Sequence, residues 1–261
     1  MNFGCASRVD IPELRQLWMD CFGDTKDYVN QYMEHAFEPE RVFVLRGEEI
    51  ASMLISFPVS HIGEDGDERS GAYLYAVCTK AEQRGRGLCR RLIEQTERAL
   101  AEKGDTFTCL RAADEQLSAM YARLGYAATF TNREVSVDRA GAGNACPIAA
   151  ETISPAAYYS LRQWQLRGDF VDYAPEVLAH QGRIGTLLSV GGGAAIAAVE
   201  RYGKTAICKE FLGDKSLLPA LQAYLGTEKL LVRTPGETPF AMAKSLTDAP
   251  APGGYLAFAF D

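Results

Sequence analysis

The chain has 261 residues, 47% of them hydrophobic and 23% charged, with a formal net charge of -7. This is enough chain to bury one or two cores, and its acidic balance argues for solubility and against nucleic acid as a partner. No apolar run approaches the roughly 18–20 residues of a membrane helix, Met1–Arg15 has no basic segment followed by an apolar one, and the seven cysteines show no CxxC and no clustering with the three histidines. A disulfide framework and a metal site are therefore not expected, and a cytoplasmic location is.

Asp10-Ile-Pro-Glu13 reads as a capping box with proline in the first helical turn. Ile11, Leu14, Trp18 and Cys21 follow along one face, and Gly23 stops the helix. A second helix carries Tyr28, Tyr32 and His35 at helical spacing. After Pro39, residues 41–46 and 50–57 read as paired strands around a Gly-Glu-Glu turn, and 61–70 as a solvated loop.

Residues 71–79, GAYLYAVCT, are apolar on both faces and read as a central strand. Strict alternation puts Tyr73, Tyr75, Val77 and Thr79 on one face and Ala72, Leu74, Ala76 and Cys78 on the other. Then comes EQRGRGLCRRLIE, residues 82–94, whose later part opens an amphipathic helix with Leu88, Cys89, Leu92, Ile93, Thr96, Ala99 and Leu100 on its apolar stripe. Residues 106–110 form a strand, and Asp114 caps a helix carrying Leu117, Met120, Tyr121 and Leu124 that closes at Gly125.

Strand, glycine-rich loop and helix in this order can hold an anion. A helix N-terminus has unpaired N–H groups and partial positive charge. Gly85 and Gly87 leave the backbone open to close approach, and Arg84 and Arg86 add charge. A plain turn with solvated arginines remains the competing reading on spacing alone. There is no GxxxxGK[ST], and Arg90 stands where a dinucleotide fingerprint needs its third glycine.

The stretch from Glu82 to Gly87 resembles the pyrophosphate loop of the GNAT (Gcn5-related) N-acetyltransferases, with Glu82 in place of the usual Gln or Arg. MYARLGY, residues 120–126, is similar to the family's later tyrosine-bearing helix that ends at a Gly-aromatic pair. The resemblance extends over residues 1 to about 138. It implies that the amides of Arg84, Gly85, Arg86, Gly87 and Leu88 hold the pyrophosphate of acetyl-CoA. It also implies that backbone groups of Val77, Cys78 and Thr79 bind the pantetheine arm, and that Tyr121 protonates the departing thiolate. Tyr121 equally suits a core position, and Cys78 reads as a small buried hydrophobe. Glu34, His35, Tyr73 and Tyr75 are possible bases, and none is chosen among them. The implied activity is acetyl transfer to a primary amine of a small molecule or peptide, with no metal, no membrane and a homo-oligomer possible. A CoA-binding module without turnover, or an interaction protein, is the alternative.

Residues 139–147 are rich in small residues and read as a linker between domains at 1–138 and 148–261. Ser154-Pro155 opens a helix, another lies near 175–180, and strands are expected at 186–190, 194–200 and 205–212. Ser216 and Pro219 open a helix ended by Gly226, followed by strands at 229–233 and 255–260. This order repeats the first half. The expected fold is therefore α/β with a mixed (α+β) sheet: a GNAT unit followed by a second, degenerate GNAT-like unit. Gly-Asp-Lys-Ser at 213–216 replaces the glycine-arginine loop, so no cofactor is expected there. The tandem resembles the Eis-related acetyltransferases, whose further sterol-carrier-like domain this length leaves no room for. Asp261 is a remote candidate for a base.

Overall fold

The computed structural model describes residues 1–138 and 149–260, so the expected linker at 139–147 and the candidate Asp261 lie outside the described residues. The chain forms two units: Met1–His61, Asp67–Thr129 and Ala241–Pro252 in the first, and Ile62–Gly66, Phe130–Phe240 and Gly253–Asp261 in the second.

The N-terminal part supplies strands β1 (Asn2–Cys5), β2 (Val42–Arg46), β3 (Ile50–Ile62), β4 (Glu68–Thr79) and β5 (Phe107–Leu110). Its helices are α1 (Ile11–Phe22), α2 (Lys26–His35), α3 (Leu88–Glu102) and α4 (Glu115–Ala122). β1, β2 and β3 are successively antiparallel, β4 pairs with β3, and β5 runs parallel to β4. Gly71 is required where β4 meets β5, because a Cβ there would run into the Phe107 ring.

The remaining strands are β6 (Ala127–Asp138), β7 (Ala150–Thr152), β8 (Phe170–Tyr173), β9 (Thr186–Val190), β10 (Ala195–Tyr202), β11 (Thr205–Gly213), β12 (Lys229–Ser245) and β13 (Gly254–Tyr255). They alternate with α5 (Pro155–Gln165), α6 (Pro175–Ile184) and α7 (Leu218–Leu225). In the second unit the strand order is β8-β13-β6-β12-β11-β10-β9-β7. Leu188, Val199, Phe211, Leu221, Leu230 and Val232 anchor its core.

The last residues of β12 belong to the first unit, where they pair antiparallel with β5 from Met242↔Leu110 to Ser245↔Phe107. This accounts for a departure from the expected α3 face. Leu92, Ile93, Thr96 and Leu100 are buried as the stripe predicts, but Glu97, which lies off that stripe, is only 5% exposed. Lys244 Nζ donates to its Oε2 at 2.6 Å and the Tyr126 hydroxyl to its Oε1 at 2.9 Å, so the carboxylate is satisfied where it lies.

Other expectations are corrected locally. Asp10 does not cap α1 with its side chain. Its carboxylate accepts from the Ser7 backbone N–H and hydroxyl and from Arg46, a pairing that holds its pKa well below the usual carboxylate range. Glu13 instead accepts the Ile50 N–H at 2.6 Å. Ser216 is not the cap of α7: the Asp214 carboxylate accepts the Ser216 N–H and a 3-10 turn leads into the helix. The loop read at 61–70 is shorter, since β3 runs to Ile62 and β4 starts at Glu68. Of the strand expected at 255–260, only Tyr255 is in a ladder. Residues 256–260 are buried outside it, and the Phe258 N–H donates instead to the Tyr173 hydroxyl. β7 and β8 are too short to leave a periodic pattern in the sequence.

Candidate active site

The site is built on β4 and the loop that follows it. β4 and β5 stay in register from Gly71↔Phe107 to Tyr73↔Cys109. Three residues further along β4, Ala76 has φ +48, a left-handed conformation that costs an alanine roughly 1–2 kcal/mol. One residue out of the extended conformation interrupts the two-residue alternation. Val77, expected beside Tyr73 and Tyr75, instead packs against the cluster of Ala72 and Leu74, on the side of α3 and α4. On the α1 side, the Cys21 thiol donates to the Thr79 carbonyl at 3.5 Å, and Tyr75 packs edge-on against Trp18 of the same helix, with ring centroids 5.2 Å apart.

The end of β4 is held by side chains. The Ser52 hydroxyl donates to the Cys78 carbonyl at 2.7 Å and lies 2.8 Å from the Thr79 hydroxyl. Arg84 folds back, its Nε donating to the Thr79 carbonyl at 3.1 Å and its Nη2 to the Cys21 sulfur at 3.5 Å. It therefore ties the loop to the strand and to α1, while Arg86 is exposed.

Gly85 (φ +76) and Gly87 (φ +74) are both left-handed, and a Cβ on either would meet nothing within 4 Å. Packing thus does not demand glycine here; the left-handed backbone does. α3 begins at Leu88 directly after Gly87, so the open loop leads into the N-terminus of a 15-residue helix. Its first-turn N–H groups have no intrahelical partner, and no acidic side chain lies in that turn. This cradle fits a diphosphate such as that of CoA.

Tyr121 lies on α4, whose N-cap Asp114 accepts the Leu117 N–H as the sequence predicts. It is 6% exposed and meets Tyr126 edge-on at 5.9 Å. Burial, with Cys89 in the first turn of α3 adding to it, pushes its phenol well above the usual range, so it carries its proton at neutral pH. Of the candidate bases, Glu34 and His35 are exposed on α2, Tyr73 is buried, and the Tyr75 hydroxyl lies 3.4 Å from that of Tyr28. Among the described residues no cluster of three or more metal-ligating side chains occurs, and no helix is long and apolar enough to cross a membrane.

Sequence reasoning missed Cys21 as a neighbour of this site and Lys244 as a residue of the first unit. Helical spacing put Cys21 on the inner face of α1, but no local pattern pairs it with β4.

A family described as Acetyltransferase (GNAT) domain matches residues 6–129. No curated protein matches the sequence. Among solved structures, a GCN5-related N-acetyltransferase from Anabaena variabilis superposes with a TM-score of 0.68 at 18% identity, covering 94% of this chain and 73% of that one. Eis1 from Mycobacterium abscessus gives 0.66 at 12% identity, over 94% and 74%. A tandem GNAT protein from the clavulanic acid biosynthesis pathway gives 0.57 at 11%, over 95% and 99%. Residues 6–129 thus match the GNAT acetyltransferase domain, and the chain as a whole has the mixed α/β fold of tandem GNAT structures, Eis1 among them.

Proposed function

We propose that this protein is an N-acetyltransferase that uses acetyl-CoA to acetylate a primary amine of a small molecule or peptide by direct attack. The observation that carries the reading is the break at Ala76. It falls three residues beyond the Tyr73↔Cys109 pair of β4 with β5, just ahead of a glycine loop at a helix N-terminus.

Acetyl-CoA supplies the activated thioester. The amides of Arg84–Leu88 hold its diphosphate, and the backbone of Val77–Thr79 lies alongside its pantetheine arm. The acceptor must arrive as a neutral amine, against an ordinary pKa of about 10. Tyr121, protonated in its buried setting, serves as the general acid toward the leaving thiolate. The burial of Tyr121 favours one further reading, a CoA-binding module or interaction protein in which that ring is only core.

Tyr121→Phe separates the two. As an enzyme, the variant keeps the thermal shift given by acetyl-CoA and loses about 10²–10⁴-fold in thiol release. Unchanged turnover in an amine screen would remove Tyr121 from the mechanism. Absence of any acetyl-CoA shift in the wild-type protein would remove the function.

A further inference from the structure

The backbone groups at the end of β4 face two ways. The Cys78 carbonyl accepts from the Ser52 hydroxyl at 2.7 Å, and the Lys80 N–H donates to the Ala51 carbonyl at 2.9 Å. Ser52 and Ala51 both lie on β3, so residues 78 and 80 turn toward that neighbour. In extended chain, consecutive residues point their backbone groups to opposite edges. Thr79, the last residue of β4, therefore turns its carbonyl to the other edge, the one along which β5 pairs as far as Tyr73. Within Val77–Thr79, the stretch proposed to lie along the pantetheine arm, the Cys78 carbonyl is tied to β3 and the Thr79 carbonyl faces the arm's side.

That carbonyl is covered. Arg84 Nε donates to it at 3.1 Å, and the Cys21 thiol, a weak donor, lies 3.5 Å away. The other contact of the guanidinium is the Cys21 sulfur, and among the described residues it has no carboxylate partner. Arg84 is exposed and adjoins Gly85, the first glycine of the open loop. A diphosphate on that loop is the better acceptor, because a hydrogen bond between two ionised groups is roughly twice as strong as one between neutral groups.

We infer that Arg84 is a specificity-determining residue that couples the two halves of the acyl-CoA site. In the free protein it covers the Thr79 carbonyl. A diphosphate on Arg84–Leu88 draws the guanidinium away, and the carbonyl opens to an amide N–H of the pantetheine arm. An acyl thioester without a diphosphate must displace the arginine with nothing offered in return. The site thereby selects acyl-CoA over the same acyl group on pantetheine alone. The inference rests on the function proposed above and adds to it the choice of acyl donor.

The test measures binding to the full chain, wild type and Arg84→Met, by titration calorimetry. The ligands are acetyl-CoA, acetyl-pantetheine, and the phosphorylated adenosine diphosphate that forms the nucleotide half of CoA. In the wild type, a saturating nucleotide half is expected to tighten acetyl-pantetheine binding about fivefold, the worth of one neutral hydrogen bond. Arg84→Met is expected to bind acetyl-pantetheine alone about fivefold more tightly than the wild type does, with no further gain from the nucleotide half. The same variant is expected to bind acetyl-CoA about fivefold more weakly, having lost a charged contact to the diphosphate. An arginine that merely braces the loop would weaken both donors together. No synergy between the two halves in the wild type, or acetyl-pantetheine bound no better by the variant, overturns the inference. So does acetyl-pantetheine that fails to bind even with the nucleotide half present. The synergy arm needs no variant, so a misfolded Arg84→Met protein does not spare the inference. Acetyl-CoA binding by the wild type without synergy sinks the coupling alone, whereas no binding of acetyl-CoA sinks the proposed function and the coupling with it.

Discussion

In the first unit β4 runs into Arg84–Gly87 and α3, and in the second β11 runs into Gly213–Ser216 and α7. The same sequence of elements makes two different junctions. The first presents glycines in open space and a 15-residue helix with no acid in its opening turn. At the second, a Cβ on Gly213 would strike the Ala194 backbone, and the Asp214 carboxylate occupies the Ser216 N–H at the entry to an eight-residue helix. Inside the second unit, Arg162 is wholly buried. It donates to both oxygens of Glu210 at 3.0–3.1 Å, to Asp172 at 2.9 Å and to the Val171 carbonyl at 2.8 Å, and it lies over the Tyr173 ring. Tyr158 completes the coordination of Glu210. One junction is left open to a ligand, and the other is closed by the unit's own polar groups.

The contrast predicts a dissociation between stability and ligand response. Arg162→Met leaves Glu210 and Asp172 buried without their cation and should cost about 3–5 kcal/mol in denaturant unfolding. The acetyl-CoA shift of whatever remains folded should persist, and its loss would tie the cluster to binding. Acid should weaken the second unit through His180, which burial and then Arg183 hold down at about 4. Between the unfolded value of about 6.5 and 4, the unfolded chain binds a proton at this site that the folded chain does not. Stability is therefore lost as pH falls through this window, by roughly 3 kcal/mol in full, and His180→Leu should flatten the profile. Gly85→Glu should leave the melting temperature of the free protein within a few degrees and abolish the stabilisation by acetyl-CoA, about 2.7 kcal/mol at a hundredfold excess over Kd. A retained shift would move the diphosphate site elsewhere. The smallest change is expected for Asp214→Ala, about 1 kcal/mol for a lost turn-capping contact, with no ligand response gained.

Local signals carried most of the first unit. Gly23, Asp114, Gly125 and the apolar stripe of α3 each act within a turn of chain, and each marks the element it predicts. The glycine loop was legible for the same reason. What escaped is non-local or conformational. Alanine at 76 has no side-chain signal for a left-handed backbone, so the switch of Val77 to the other face was invisible. The burial of Glu97 depends on Lys244, 147 residues away in the chain. The capping role assigned to Asp10 failed because Arg46, on a distant strand, competes for its carboxylate.

The pairing of Met242–Ser245 with β5 also sets an order of events during synthesis. A ribosome delivers β5 and its helices long before the strand that covers that edge, so the nascent first unit must wait with an unsatisfied row of amides and carbonyls. Closing so distant a contact is slow by loop entropy alone. The half of the protein begun first is thus completed only near the end of synthesis, when Ala241–Pro252 emerges, and its exposed edge during that interval is where aggregation or chaperone capture would begin.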